Sequence, residues 1–152
     1  MNDQVETIKK IRFFLVNTIK DLTTEQLNKV PVGFNNNIIW NLAHLTAAFQ
    51  GVCYSRAGLK PAVDENFIMP FKPGTKPERY FSQDEIETIK RLLFSSLDLF
   101  KEDYENNRFA NYVGWTTRYG VELSNIDDAL LFLQYHEGLH SGYIQALKRL
   151  AV

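Results

Sequence analysis

The chain has a single cysteine, Cys53, in 152 residues. One thiol excludes an intramolecular disulfide and a Cys-rich zinc site. Any metal must therefore be held by His, Asp or Glu. Charge of one sign is also missing: 17 Lys and Arg against 18 Asp and Glu leave a net charge of -1. No basic run is present to track a phosphate backbone, so nucleic acid is not an expected partner. No apolar run approaches the ~20 residues needed to span a bilayer, and Met1 to Lys10 is polar where a leader would need an apolar core. The chain therefore reads as cytoplasmic, with no membrane partner. Short alternating runs bounded by turn residues do not recur, so no sheet is expected.

What the chain does contain is apolar residues at helical spacing. Apolar residues make up 45% of it and aromatics 13%, enough for one compact domain over residues 1–152 and too little for two. Val5, Ile8, Ile11, Leu15, Ile19 and Leu22 recur every three or four positions, which predicts a first helix from Asp3 to Leu22. Thr23 with Gln26 reads as a capping box opening a short turn that Pro31 stops. Asn35, Asn36 and Asn37 offer N-cap oxygens to a second helix carrying Ile38, Ile39, Leu42, Leu45, Phe49 and Val52, with Gly58 placed to end it. From Ala57 to Tyr80, Pro61, Pro70, Pro73, Gly74 and Pro77 interrupt a stretch without periodicity, a long connection that is either a crossover or a lid. Ser82 and Glu85 form a second capping box ahead of Ile86, Ile89, Leu92, Leu93, Leu97, Phe100 and Tyr104, and Asn106-Asn107 closes this third helix. Ser124 and Asp127 are expected to cap the fourth, whose stripe is Ile126, Leu130, Leu133, Leu147 and Leu150. The expected fold class is all-α, a four-helix bundle with a long connection between the second and third helices.

Only three histidines occur, and all fall in predicted helices. His136 and His140 are four apart, so at about 3.6 residues per turn their imidazoles share one face of the fourth helix. His44 lies within the second helix, with the small residues Ala47, Ala48 and Gly51 on the turns after it and Trp40 one turn before. If these two helices face each other, three neutral imidazoles converge on one divalent ion and leave one tetrahedral position for water or substrate. Three buried histidines without a metal would be costly if charged, which also favours an ion.

His136-Glu137-Gly138-Leu139-His140 also matches the H-E-x-x-H pattern of zinc metalloproteases. Those enzymes need a downstream third ligand, and residues 141–152 contain no His, Asp or Glu. Glu137 lies about 60° round the helix from His140 and about 100° from His136. A partner to an imidazole N–H, a base acting through metal-bound water and a solvated surface glutamate all fit that position, so no catalytic residue is assigned. Tyr143 is expected to pack in the core. Cys53, about 180° from His44 on its helix, should point away as a small buried hydrophobe. Residues 112–120, Tyr-Val-Gly-Trp-Thr-Thr-Arg-Tyr-Gly, suit either a pocket wall or a plug for a bundle end, and Tyr54, Arg56 and residues 66–76 are further candidates for pocket wall.

The segments Asn37-Ile38-Ile39-Trp40-Asn41-Leu42-Ala43-His44-Leu45 and Tyr135-His136-Glu137-Gly138-Leu139-His140-Ser141-Gly142 resemble the two metal motifs of the DinB-like family. The resemblance implies that His44, His136 and His140 bind a divalent ion, commonly zinc or nickel, in a bundle of unusual connectivity that often forms homodimers. It also implies, for some members, transfer of a low-molecular-weight thiol to a small-molecule substrate. Two features depart from the pattern: Tyr143 stands where many relatives carry glutamine, and the 57–80 link is longer than a minimal bundle needs. Two functions follow as alternatives. One is a metal-dependent transferase or hydrolase; the other is a non-catalytic binding module or structural bundle in which a metal is a staple or is lacking. A homodimer would use exposed residues of the first or third helix.

Overall fold

A computed structural model describes residues 2–152. Among them, four long helices dominate: α1 (Asn2–Thr18), α3 (Ile38–Cys53), α5 (Gln83–Glu105) and α6 (Ile126–Ala151). Two short ones, α2 (Thr24–Asn28) and α4 (Glu65–Ile68), lie in the connections, as do 3-10 turns at Ser55–Ala57 and Met69–Phe71. The all-α class expected from periodicity is the one observed. The expectation of no sheet fails only locally, at an antiparallel ribbon of β1 (Trp115–Thr116) and β2 (Glu122–Leu123). Two residues per strand are too few to write an alternating pattern. The ribbon turns at Gly120, whose φ of 78° is the left-handed conformation that glycine tolerates best.

Side-chain caps set most helix starts. The two predicted capping boxes form at Thr23/Gln26 and Ser82/Glu85, and of the three candidate asparagines Asn37 caps α3, its side chain accepting from the Trp40 amide at 2.7 Å. The start of α6 corrects the sequence reading. Asn125, not Ser124, is its N-cap and accepts from the amides of Asp127 and Asp128, both at 2.9 Å. Ser124 instead donates its own amide to the Asp128 carboxylate. Helix α1 ends at Thr18, short of Leu22, because the backbone tightens into three-residue turns at Lys20 and Leu22. Helix α3 ends at Cys53, and Gly58 (φ 70°) closes the 3-10 turn beyond it.

Each long helix packs on two others: α3 on α5 and α6, and α1 on α5 and α6. Tyr54 bonds Asp103, Phe49 meets Phe100 edge-on, and Leu45 and Leu93 share one hydrogen-bond donor, so α3 and α5 advance in the same direction. Two parallel neighbours need a connection that travels back their full length. That requirement makes the 57–80 link a crossover.

The core divides into two clusters. One contains Leu15, Ile19, Leu42, Leu45, Leu93, Ile144 and Leu147, the other Val5, Ile8, Phe49, Leu97, Phe100, Leu130 and Leu133. Arg12 and Glu137 fall between them along their helices. Both side chains are 0% exposed, with Arg12 Nη2 2.6 Å and Nε 3.0 Å from Glu137 Oε1. The same guanidinium donates to the carbonyls of Leu93 (2.8 Å) and Leu45 (3.2 Å). One side chain thus touches all four long helices.

Removing one partner strands a buried charge, so Glu137→Ala should lower unfolding free energy by about 3–5 kcal/mol. Asp98→Ala, which breaks the exposed Lys9–Asp98 pair, should change it by less than about 1 kcal/mol. Urea denaturation of the two variants beside the parent checks both values.

Candidate metal centre

The antiparallel contact of α3 with α6 brings the three histidines together, although 92 residues separate His44 from His136 in sequence. Their potential ligand atoms all lie within 4.8 Å of one another, and ring centroids are 5.2 Å (His44–His136), 4.7 Å (His44–His140) and 4.5 Å (His136–His140) apart. The spacing of four in α6 puts one imidazole above the other on the face turned to α3, as the sequence predicted.

Two of the rings are held from behind. His44 Nδ1 is 2.7 Å from the Phe71 carbonyl, which can only accept, so this nitrogen carries the proton and Nε2 keeps its lone pair. His140 Nδ1 is 2.8 Å from Asn41 Oδ1. Asn41 is fully buried and spends its Nδ2 donor on the Asn37 carbonyl at 2.8 Å, which leaves the oxygen facing the ring and fixes the same tautomer. His136 Nδ1 is buried and has no hydrogen-bond partner. Two imidazoles with free Nε2 lone pairs and a third with an orphaned nitrogen make a donor set that fits a divalent ion. Trp40 completes the back wall. It stacks on His44 at 4.5 Å with an interplanar angle of 11°, and its Nε1 donates to Thr75 Oγ1.

The electrostatics keep all three rings neutral. Burial lowers His136 to a pKa of about 2, helped by the charges that His140, His44 and Arg12 would set against it. Burial and His44 lower His140 to about 3. Burial lowers His44 as well, opposed by its hydrogen bond to Phe71. Neutral imidazole is the ligating form, so the folded protein needs no proton release to present it.

Other candidate residues stand differently from expectation. Glu137 is neither a solvated glutamate nor a partner of an imidazole; it is wholly buried against Arg12, and burial raises its carboxyl while the guanidinium opposes that rise. Its second oxygen, Oε2, has no partner. Tyr143 is not core: it is 43% exposed, its ring 6.4 Å from His140. Cys53 is buried in the cluster that includes Phe49 and Phe100, as expected of a small hydrophobe, and burial pushes its thiol pKa upward. Residues 112–120 close a bundle end. Tyr112 bonds the Val52 carbonyl and Val113 the Arg56 carbonyl, closing the end of α3, while Arg56 lies 4.1 Å over Trp115. Of residues 112–120, Tyr119 alone borders an open, largely apolar surface depression of about 400 Å³, shared with Leu123, Leu131, Phe132 and Tyr135 and lined by none of the three histidines. In the long link, the Phe71 carbonyl and Thr75 are the groups that reach the site.

The pH dependence of the metal-free protein follows from these directions. Unfolded imidazoles titrate near 6.5, while the folded ones resist protonation down to about 3 and 2. Below 6.5 the unfolded chain therefore binds protons that the folded chain refuses. The stability is intact above that pH and is lost as pH falls toward the folded values. Thermal melts in chelator should show a melting temperature falling from pH 6.5 to pH 4, with a shallower fall in His136→Leu.

A model of the DinB superfamily matches residues 14–144, a span that includes all three histidines and parts or all of the four long helices. No curated protein matches the chain. The matched span covers most of the sequence, and the chain belongs to the DinB superfamily.

Proposed function

We propose that this chain is a metal-dependent enzyme that holds one divalent ion, zinc or nickel, on His44, His136 and His140 and acts on a small-molecule substrate, with a low-molecular-weight thiol as cosubstrate in the transferase form of the reaction. The observation that carries the reading is the pair of restrained rings. Phe71 and Asn41 each take an Nδ1 proton and leave Nε2 of His44 and His140 as a ligand. An ion held by these three histidines would supply Lewis acidity, the chemistry that lowers the pKa of a water or thiol.

The chain's own residues then have separable tasks. Trp40 and the Phe71 carbonyl hold His44 from one side. Asn41 orients His140, and the exposed Tyr143 has its ring 6.4 Å from that imidazole. Glu137 is engaged by Arg12 and supplies no proton shuttle. That engagement also supports a second reading, a non-catalytic module in which the metal is a staple. The finer architecture belongs to the same proposal: one domain, a four-helix bundle of the DinB type with its long second-to-third connection, cytoplasmic and homodimeric. Exposed Phe13 and Phe14 on α1 and Leu99 on α5 are candidates for the dimer contact.

Protein purified without a polyhistidine tag should contain about one equivalent of zinc or nickel by elemental analysis, and His44→Ala and His136→Ala should lose it. Nickel added to the metal-free protein should quench Trp40, stacked on a ligand, with a stoichiometry of one. A protein that takes up neither metal overturns the proposal. Turnover of an electrophile with a thiol, abolished by chelator, supports the enzyme, whereas loss of stability alone on chelation favours the staple.

Asn41→Ala should weaken metal binding about 10- to 100-fold, the usual effect of losing a partner behind a ligating histidine. Competition with a chromophoric chelator measures it.

A further inference from the structure

We infer that Arg12 and Glu137 are positioning residues of the metal centre: the buried pair fixes the rotation and axial register of α6 against α3, and with it the distance between His44 and the two histidines of α6. The inference rests on the metal-centre reading above.

The pair is attached next to the ligands on both helices. Arg12 Nη2 donates to the carbonyl of Leu45, the residue after His44. Through Nη2 and Nε the same guanidinium grips one oxygen of Glu137, the residue after His136. Its remaining bond, from Nη1 to the Leu93 carbonyl, anchors it to α5. A planar fork on a stem from α1 therefore spans the two helices that carry the histidines, at their level and from the interior side.

The magnitudes show why this matters. A side-chain tip several ångströms from the helix axis moves by about 2 Å when the helix turns by about 20°. Metal–nitrogen bonds near 2.0–2.1 Å tolerate only a few tenths of an ångström. Apolar packing alone admits small rotations with little loss, because the hydrophobic effect is non-directional. Directional, charge-assisted hydrogen bonds do not. The pair also balances charge. The guanidinium of Arg12 is positive and lies near a site meant for a dication, and the Glu137 carboxylate offsets it, which gives an acidic residue a reason to be buried beside His136.

Stability alone is a different role, and the two are separable. Replacing a buried ion pair with apolar residues of similar size commonly preserves stability. Arg12→Met combined with Glu137→Leu should therefore fold while losing the directional bonds. Cobalt(II) is the probe, titrated into metal-free parent and double variant, with affinity read by chelator competition and geometry by the d–d absorption bands. The expected result is native-like melting with affinity at least tenfold weaker and altered band positions. A double variant with parental affinity and spectrum overturns the inference. A parent that binds no cobalt fails at the earlier step, the metal-centre reading.

Should the double variant not fold, the parent decides. Metal loading should slow hydrogen exchange of the Arg12 Nε–H at least tenfold beyond any slowing of the α1 amides near Val5. Equal slowing at both places overturns the inference.

Discussion

A single guanidinium in the middle of the core organises this molecule. Arg12 is bonded to Glu137 on α6, to the main chain of α3 at Leu45 and to that of α5 at Leu93. The hydrophobic clusters on either side, around Leu15 and Leu93 in one direction and Ile8 and Phe100 in the other, hold the helices together without specifying their angular setting. The polar layer between them specifies it. A guanidinium taken out of water must have its donors satisfied, and four of its contacts here are met by three helices in one geometry. The arrangement favours one packing over its rotated alternatives more than it adds net stability.

The histidine cluster is built on the same logic of restraint from behind. Each held ring has its Nδ1 proton assigned by a group that can only accept, so each keeps its lone pair on Nε2. Burial then suppresses the cationic forms. Desolvation favours the neutral ring, and the bond from His44 to Phe71 opposes it, but that same bond fixes the tautomer that leaves Nε2 free.

Much of this was legible in the sequence, and what was not has identifiable causes. The long helices follow from periodicity, and the capping boxes at Thr23 and Ser82 from short-range hydrogen-bond chemistry. The His136/His140 spacing fixed a shared helix face, and the placement of His44 opposite it required only that α3 and α6 meet. Arg12 was missed because an apolar count passes over a charged residue, although it sits four after Ile8 and three before Leu15, squarely on the α1 stripe. Glu137 falls likewise four after Leu133 and seven before Ile144 on the α6 stripe. One basic and one acidic residue at stripe positions of different helices was the available signal. A helical wheel sets Glu137 beside the histidines but does not say which side is interior, and here Glu137 is buried. The Phe71 carbonyl had no signal at all, since every residue but its position in space offers the same group.

That last contact separates the two anchors by how they survive change over evolutionary time. The restraint on His140 depends on a side chain, and any substitution of Asn41 alters it. The restraint on His44 depends on main chain, which persists whatever residue stands at position 71 as long as the link passes through the same point. Because α3 and α5 are parallel, some return path from the end of one to the start of the other is obligatory. The group that holds the ring is thus inherited with the backbone itself, and the apolar side chains of Ile68 and Phe71, buried in the core, keep that stretch of backbone in place.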